Sequence, residues 1–241
     1  MEPNSDGSLT YSRYLRLDEL LSIQHLLTPR EGTSRGKAAE HFFIVAHQAS
    51  ELWLRQALYD LEAAAQALGP PTCDLELVLE HLDRVSHVAN MLVAHADALV
   101  KVPVGCFHEF RRYFGSASGA QSAQFHALER MLGLRGEPGH LYVAFLAAVE
   151  AQGTNVERLY ADELGAGPLY RIAEMLIDLA HRFWHWRIVH LDLVARMLGE
   201  RPGTGGSSGV RYLIGRMRTA FPDLWEARGS AHQARLALGS T

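Results

Sequence analysis

His190 ends the string Phe183-Trp-His-Trp-Arg-Ile-Val-His190, in which Phe183, Trp186, His190, Val194 and Met197 recur at helical spacing. The imidazole therefore shares an aromatic and aliphatic stripe that faces an apolar interior. A greasy helical face carrying one nitrogen suits a flat, hydrophobic metallocofactor. Fourteen residues further on, Thr204 sits in the loop Gly203-Thr-Gly-Gly-Ser-Ser-Gly209. This is no phosphate loop of the nucleotide-binding kind, because no Gly-Lys-Ser/Thr follows and no strand precedes it. Its amides open a helix, which makes it a place for a carboxylate, with Thr204 adding a hydroxyl. A plain linker is the competing reading, although linkers seldom join helices as apolar as these.

Two further segments carry candidate chemistry. In Phe43-Ile-Val-Ala-His47-Gln-Ala-Ser-Glu-Leu-Trp53, His47 shares a helical face with Phe43, Ser50 and Leu54. A core histidine bonded to a carbonyl or to Ser50 explains that face equally well. In Phe107-His-Glu-Phe-Arg-Arg112, Arg111 stands beside Phe107 and Phe110. A guanidinium among aromatics is costly unless paired, and its forked donors fit a carboxylate, either a ligand's or an internal one. Other metal chemistries fail on spacing. His181 and His185 lie four apart without an obvious third zinc ligand. The single Glu-x-x-His match, Glu137 to His140, falls in a Pro-Gly turn, whereas a di-iron bundle needs two on helices. One histidine in a dry aromatic pocket points to haem with a proximal imidazole.

The elements that must position these residues are helices. Periodicity predicts long helices over 37–68 and 74–101, separated by Pro70-Pro71. Shorter ones follow at 107–113 and up to about Leu134, then two or three over 141–164, another long one over 168–198, and one capped by Ser207 or Ser208 reaching Ala220. No alternating β-branched run appears, so the expected fold is all-α, one bundle of long helices spanning 1–241. Residues 1–15 read as an N-terminal arm and 227–241 as a flexible tail. The formal net charge of −4 argues against nucleic acid. Two cysteines cannot build a disulfide framework or a thiolate metal site. Neither a signal peptide nor a run of about 18 apolar residues is present, so a cytoplasmic protein without a membrane partner is expected.

Taken together the segments resemble the tryptophan 2,3-dioxygenase family, haem enzymes that open the indole ring to N-formylkynurenine. Four blocks match in order across about residues 10–225: Tyr11-Ser-Arg-Tyr14-Leu-Arg-Leu-Asp-Glu-Leu-Leu, Phe43 to Trp53, Phe107 to Ser122, and Trp186-Arg-Ile-Val-His190 with the glycine loop through Val210. The resemblance implies one haem b per subunit with His190 as the iron ligand, flanked by Trp186 and by the loop at Gly205 and Ser207. His47 would be the distal histidine meeting the indole N–H. Arg111 and Thr204 would hold the carboxylate of L-tryptophan, with Phe43 and Phe107 lining the indole pocket. Tyr11 and Tyr14 would enter a neighbouring subunit's pocket, which implies a homotetramer with intersubunit active sites and O2 as cosubstrate.

The division of labour is physically coherent: the cofactor carries the oxidation, while an arginine clamp orients the indole and rejects analogues lacking a carboxylate. Two departures stand out. The span from Arg111 to His190 is shorter than the family's usual one by several tens of residues. Ala120 replaces the phenylalanine of a Ser-Gly-Phe-Gln-Ser string, a change expected to widen a pocket wall. The alternative activity is monooxygenation of a substituted tryptophan or indole by a related haem oxygenase.

Overall fold

Thr33 starts the longest helix: its hydroxyl accepts the Gly36 N–H at 2.9 Å, filling one of the donors a helix start leaves open. A computed structural model describes residues 8–71, 73–161 and 167–239, with side chains described as far as Gln233. Its helices are α1 (Tyr11–Leu15), α2 (Leu17–Leu20), α3 (Ser34–Ala67), α4 (Leu75–Leu99), α5 (Val104–Arg111), α6 (Ala123–Met131), α7 (His140–Ala151), α8 (Val156–Ala161), α9 (Gly167–Leu198), α10 (Val210–Ile214) and α11 (Pro222–Gly239). A 3-10 turn, Gly119–Gln121, precedes α6. The described residues contain no strand, so the fold is all-α as the periodicity predicts. No single helix among them is long and apolar enough to cross a membrane.

The boundaries follow local chemistry. Asp74 caps α4 by accepting the Leu77 N–H at 3.0 Å, and Ser122 caps α6 through the Phe125 N–H at 3.1 Å. The α9 helix stops at Gly199, whose φ of 59° is the left-handed stop that glycine adopts without strain. Three corrections apply to the sequence reading. Ser207 and Ser208 cap nothing: Gly209, at φ 62°, precedes α10, and that helix ends at Ile214. Beyond it the backbone tightens into i→i−3 turns, Arg216 N–H donating to the Leu213 carbonyl and Met217 N–H to that of Ile214, and the Arg216 carbonyl accepts from Arg187 on α9. The supposed tail after Ala227 is helical as far as Gly239. Residues 1–7 of the arm, 162–164 of the expected 141–164 helices, and 240–241 lie outside the described residues.

Three rods, α3, α4 and α9, pack side by side, with the short helices around them. A buried carboxylate ties α3 to α4. Asp60, 1% exposed, accepts from Gln56 at 2.7 Å, from His81 Nδ1 at 2.8 Å and from Arg84 Nε at 2.9 Å. Burial alone would raise its pKa, but these hydrogen bonds outweigh burial and the net shift is downward. Asp60→Asn should therefore destabilise the fold by about 1–3 kcal/mol in denaturant titration, because the new amide NH2 would face donors that now meet a carboxylate. The sign for pH is fixed. A depressed carboxylate stabilises above its unfolded pKa, so the wild-type advantage over Asp60→Asn should shrink as pH drops through 3.8 and below.

The apolar core is divided. A large cluster contains Leu54 and Leu61 of α3, Leu82 and Leu92 of α4, and Phe183 of α9. A smaller one contains Ala39 and Ala46 of α3, Leu99 of α4, Phe107 and Phe110 of α5, and Leu193 and Met197 of α9. On all three rods the division falls at one level. His47 and Ser50 stand between the clusters on α3, His95 on α4, and His190 on α9.

Candidate active site

His47 on α3 and His190 on α9 stand at this level, and a charge on His47 acts on His190. His47 Nδ1 lies 2.8 Å from the Phe43 carbonyl. A carbonyl only accepts, so Nδ1 carries the proton and donates, which leaves Nε2 as a free acceptor. The imidazole lies against the Phe43 ring, tilted by 34° with 4.0 Å between centroids. Desolvation lowers its pKa against the opposing pull of the Phe43 hydrogen bond and of Glu51. His190 is half-buried, and no other described residue bonds either of its ring nitrogens. Desolvation first, then the charges of His47 and Arg187, push its pKa down to about 4. It is neutral at physiological pH, the state in which imidazole binds a metal. Trp186, one turn earlier, packs edge-on against Phe125 of α6 at 5.8 Å and against Phe183 at 6.3 Å.

Aromatic side chains form the wall beside His47. The Phe43 ring lies 5.9 Å from Phe107, 5.4 Å from Phe110 and 5.5 Å from Phe114. Phe110 enters the sequence reading only as a neighbour of Arg111, and Phe114 does not enter it. Their spacing from Phe107, three and seven residues on, is the signal that marks them.

The polar edge is built by two loops that hold each other. Arg111 Nη2 donates to the Pro202 carbonyl at 2.7 Å, and Thr204 Oγ1 donates to the Ala117 carbonyl at 2.6 Å. No carboxylate lies within ion-pair distance of Arg111 among the described residues, so the internal salt bridge weighed from sequence is not what holds it. Gly205 lies against Ser118 so closely that an added Cβ would sit 2.9 Å from the serine Cβ. Gly203 N–H donates to the Ser207 carbonyl at 3.0 Å, and the Ser207 hydroxyl covers the place a Gly203 side chain would take. The structure thus brings Phe43, His47, Phe107, Arg111, Trp186, His190, Thr204, Gly205 and Ser207 to one level of the bundle or its rim. It does not bring Tyr11 and Tyr14 there: on α1 they are 76% and 71% exposed. Ala120 is exposed, and its carbonyl accepts from His126 Nε2 at 2.8 Å.

A histidine with unbonded ring nitrogens, set between two apolar clusters, would hold the iron of a flat and largely apolar cofactor. The residues therefore fit haem. The similarities that follow place the chain among the dioxygenases, a class of oxidoreductase. A family model described as "Tryptophan 2,3-dioxygenase" matches residues 2–145 and 143–230. The chain is 33% identical to the tryptophan 2,3-dioxygenase of Caulobacter vibrioides, covering 91% of this chain and 97% of that one. It is also 33% identical to the enzyme of that name from an Anaeromyxobacter species (93% and 97%), and 32% identical to that of Herpetosiphon aurantiacus (92% and 98%). The chain belongs to the tryptophan 2,3-dioxygenase family. The alignment with the Caulobacter protein runs over 265 positions against 241 residues here. That relative therefore carries residues with no counterpart in this chain. The two family segments meet at 143–145, inside the Arg111–His190 interval read as trimmed.

Proposed function

We propose that this chain cleaves the indole 2,3 bond of L-tryptophan with O2 to give N-formylkynurenine, on one haem b per subunit held by His190. The observation that carries this reading is the alignment of His47 and His190 across a divided core with a cation and hydroxyl at its rim. When bound, haem supplies the iron chemistry that activates dioxygen. The chain does the rest. Arg111 and Thr204 take the substrate carboxylate at the rim, where the glycine loop also offers acceptors to the ammonium. The rings of Phe43 and Phe107 hold the indole flat, and Phe110 and Phe114 back them. His47 Nε2, left as an acceptor by its bond to Phe43, receives the indole N–H and fixes which indole edge is presented. Trp186 seats the turn of α9 that carries His190. Gly205 and Ser207 keep the rim loop closed against Ser118.

The exposed arm residues Tyr11 and Tyr14 are assigned to a neighbouring subunit's pocket in a homotetramer, and the setting is taken as cytoplasmic. His47→Ala should lower kcat/KM for L-tryptophan by about 10–100-fold, the worth of one hydrogen bond and its orienting effect, with haem content unchanged. The reaction itself is tested by product mass. Reduced enzyme given L-tryptophan under 18O2 should release a product carrying two labelled oxygens. One labelled oxygen would instead establish monooxygenation.

A further inference from the structure

Glu129 on α6 is 2% exposed and sits among cations drawn from three separate parts of the chain. Its Oε2 lies 3.1 Å from Arg216 Nη2 and 3.4 Å from Arg135 Nη1, and its Oε1 lies 3.9 Å from Arg187 Nη2. Arg187 is the residue after Trp186 on α9 and stands one turn before His190. Its Nη2 also donates to the Arg216 carbonyl, and its guanidinium lies over the Phe125 ring at 6.0 Å. Its Nη1 is buried without a hydrogen-bond partner.

Three guanidiniums approach one carboxylate, so positive charge is in excess; Arg135 and Arg216 are partly exposed, whereas Arg187 and Glu129 are largely out of solvent. Burial in fact disfavours the charged form of Arg187, with Arg216 adding repulsion and Glu129 opposing both. Arginine stays a cation regardless. A cluster built only for stability would match its charges and satisfy its donors, because a buried unmatched cation costs free energy. This one leaves the Arg187 charge three residues before His190, with one guanidinium nitrogen buried and unbonded.

We propose that the Glu129–Arg187 pair is a brace with two tasks, positioning the His190 turn against α6 and setting the electrostatic potential on the proximal side of the haem. The proposal rests on the haem assignment at His190. Arg187 and Glu129 are positioning residues, since neither reaches the reacting atoms. The surplus positive charge favours the ferrous over the ferric form, which carries one more positive charge.

Spectroelectrochemical titration of the haem-loaded protein tests this through the one-electron ferric/ferrous couple, with the reductant supplied by the electrode. Arg187→Met should lower the ferrous-to-ferric ratio at fixed potential about tenfold, or about 59 mV for a one-electron couple. Glu129→Gln should move the ratio the opposite way. Arg187→Lys should keep the wild-type potential while lowering the melting temperature, because it retains the charge and loses the fork. Opposite shifts with lysine rescue support the proposal, and a merely structural role would not produce them. Shifts of the same sign, or no shift in either charge variant, overturn it. Wild-type protein that takes up no haem overturns the haem assignment and this inference together. Wild-type protein that binds haem with unmoved variants overturns this inference alone.

Discussion

His190→Ala should strip the protein of haem while leaving it folded. Even outer-shell partners of a metal ligand are worth 10–100-fold in affinity, so losing the ligand itself should cost more than about 100-fold. The imidazole belongs to neither core cluster and holds no hydrogen bond among the described residues. Its removal therefore opens little packed surface, and far-UV circular dichroism should match the wild type. The measurement is haem titration followed at the Soret band. Added imidazole should restore part of the binding by filling the space the side chain leaves. A variant that keeps the band at wild-type intensity would refute the ligand assignment.

Arg111→Leu should have the next largest effect, confined to substrates that bear a carboxylate. Hydrogen bonds to charged groups are worth about 1.5–3 kcal/mol each, so losing a two-pronged clamp should lower kcat/KM for L-tryptophan by about 10²–10³-fold. The loss should lie mainly in KM, with haem content unchanged. Arg111→Lys should recover only part of it, since an ammonium cannot reproduce the fork. Competition by indole, which has no carboxylate, is the internal control. Its inhibition constant should barely move, and an equal loss for both ligands would show that the substitution had deformed the pocket.

Much of this architecture is written in local sequence. The α3, α4 and α9 rods have sustained periodicity and clear stops at Pro70 and Gly199, and the observed bounds fall close to the expected ones. His47, Arg111, His190 and Thr204 could be singled out because each sits beside aromatics or glycines where an ordinary surface residue would not. What stayed hidden depends on tertiary contacts. Nothing in the run after Gly209 announces that Arg216 will be captured by α9 and Glu129. Glu129 reads as one more solvated helix residue, because the Arg187 and Arg216 that meet it lie 58 and 87 residues away. The division of the core is likewise invisible along the chain. It arises because three helices with ordinary stripes each place a polar residue at the same height. Tyr11 and Tyr14 stand out only through the family resemblance, and on α1 they are exposed.

The most direct measurement is haem uptake by the purified wild-type chain, followed at the Soret band with and without L-tryptophan. Saturation at one haem per chain is predicted, with a band that L-tryptophan perturbs and D-tryptophan or indole perturbs less. A polypeptide that stays colourless when offered haem, or a haem band indifferent to L-tryptophan, would contradict a site built between His190 and Arg111.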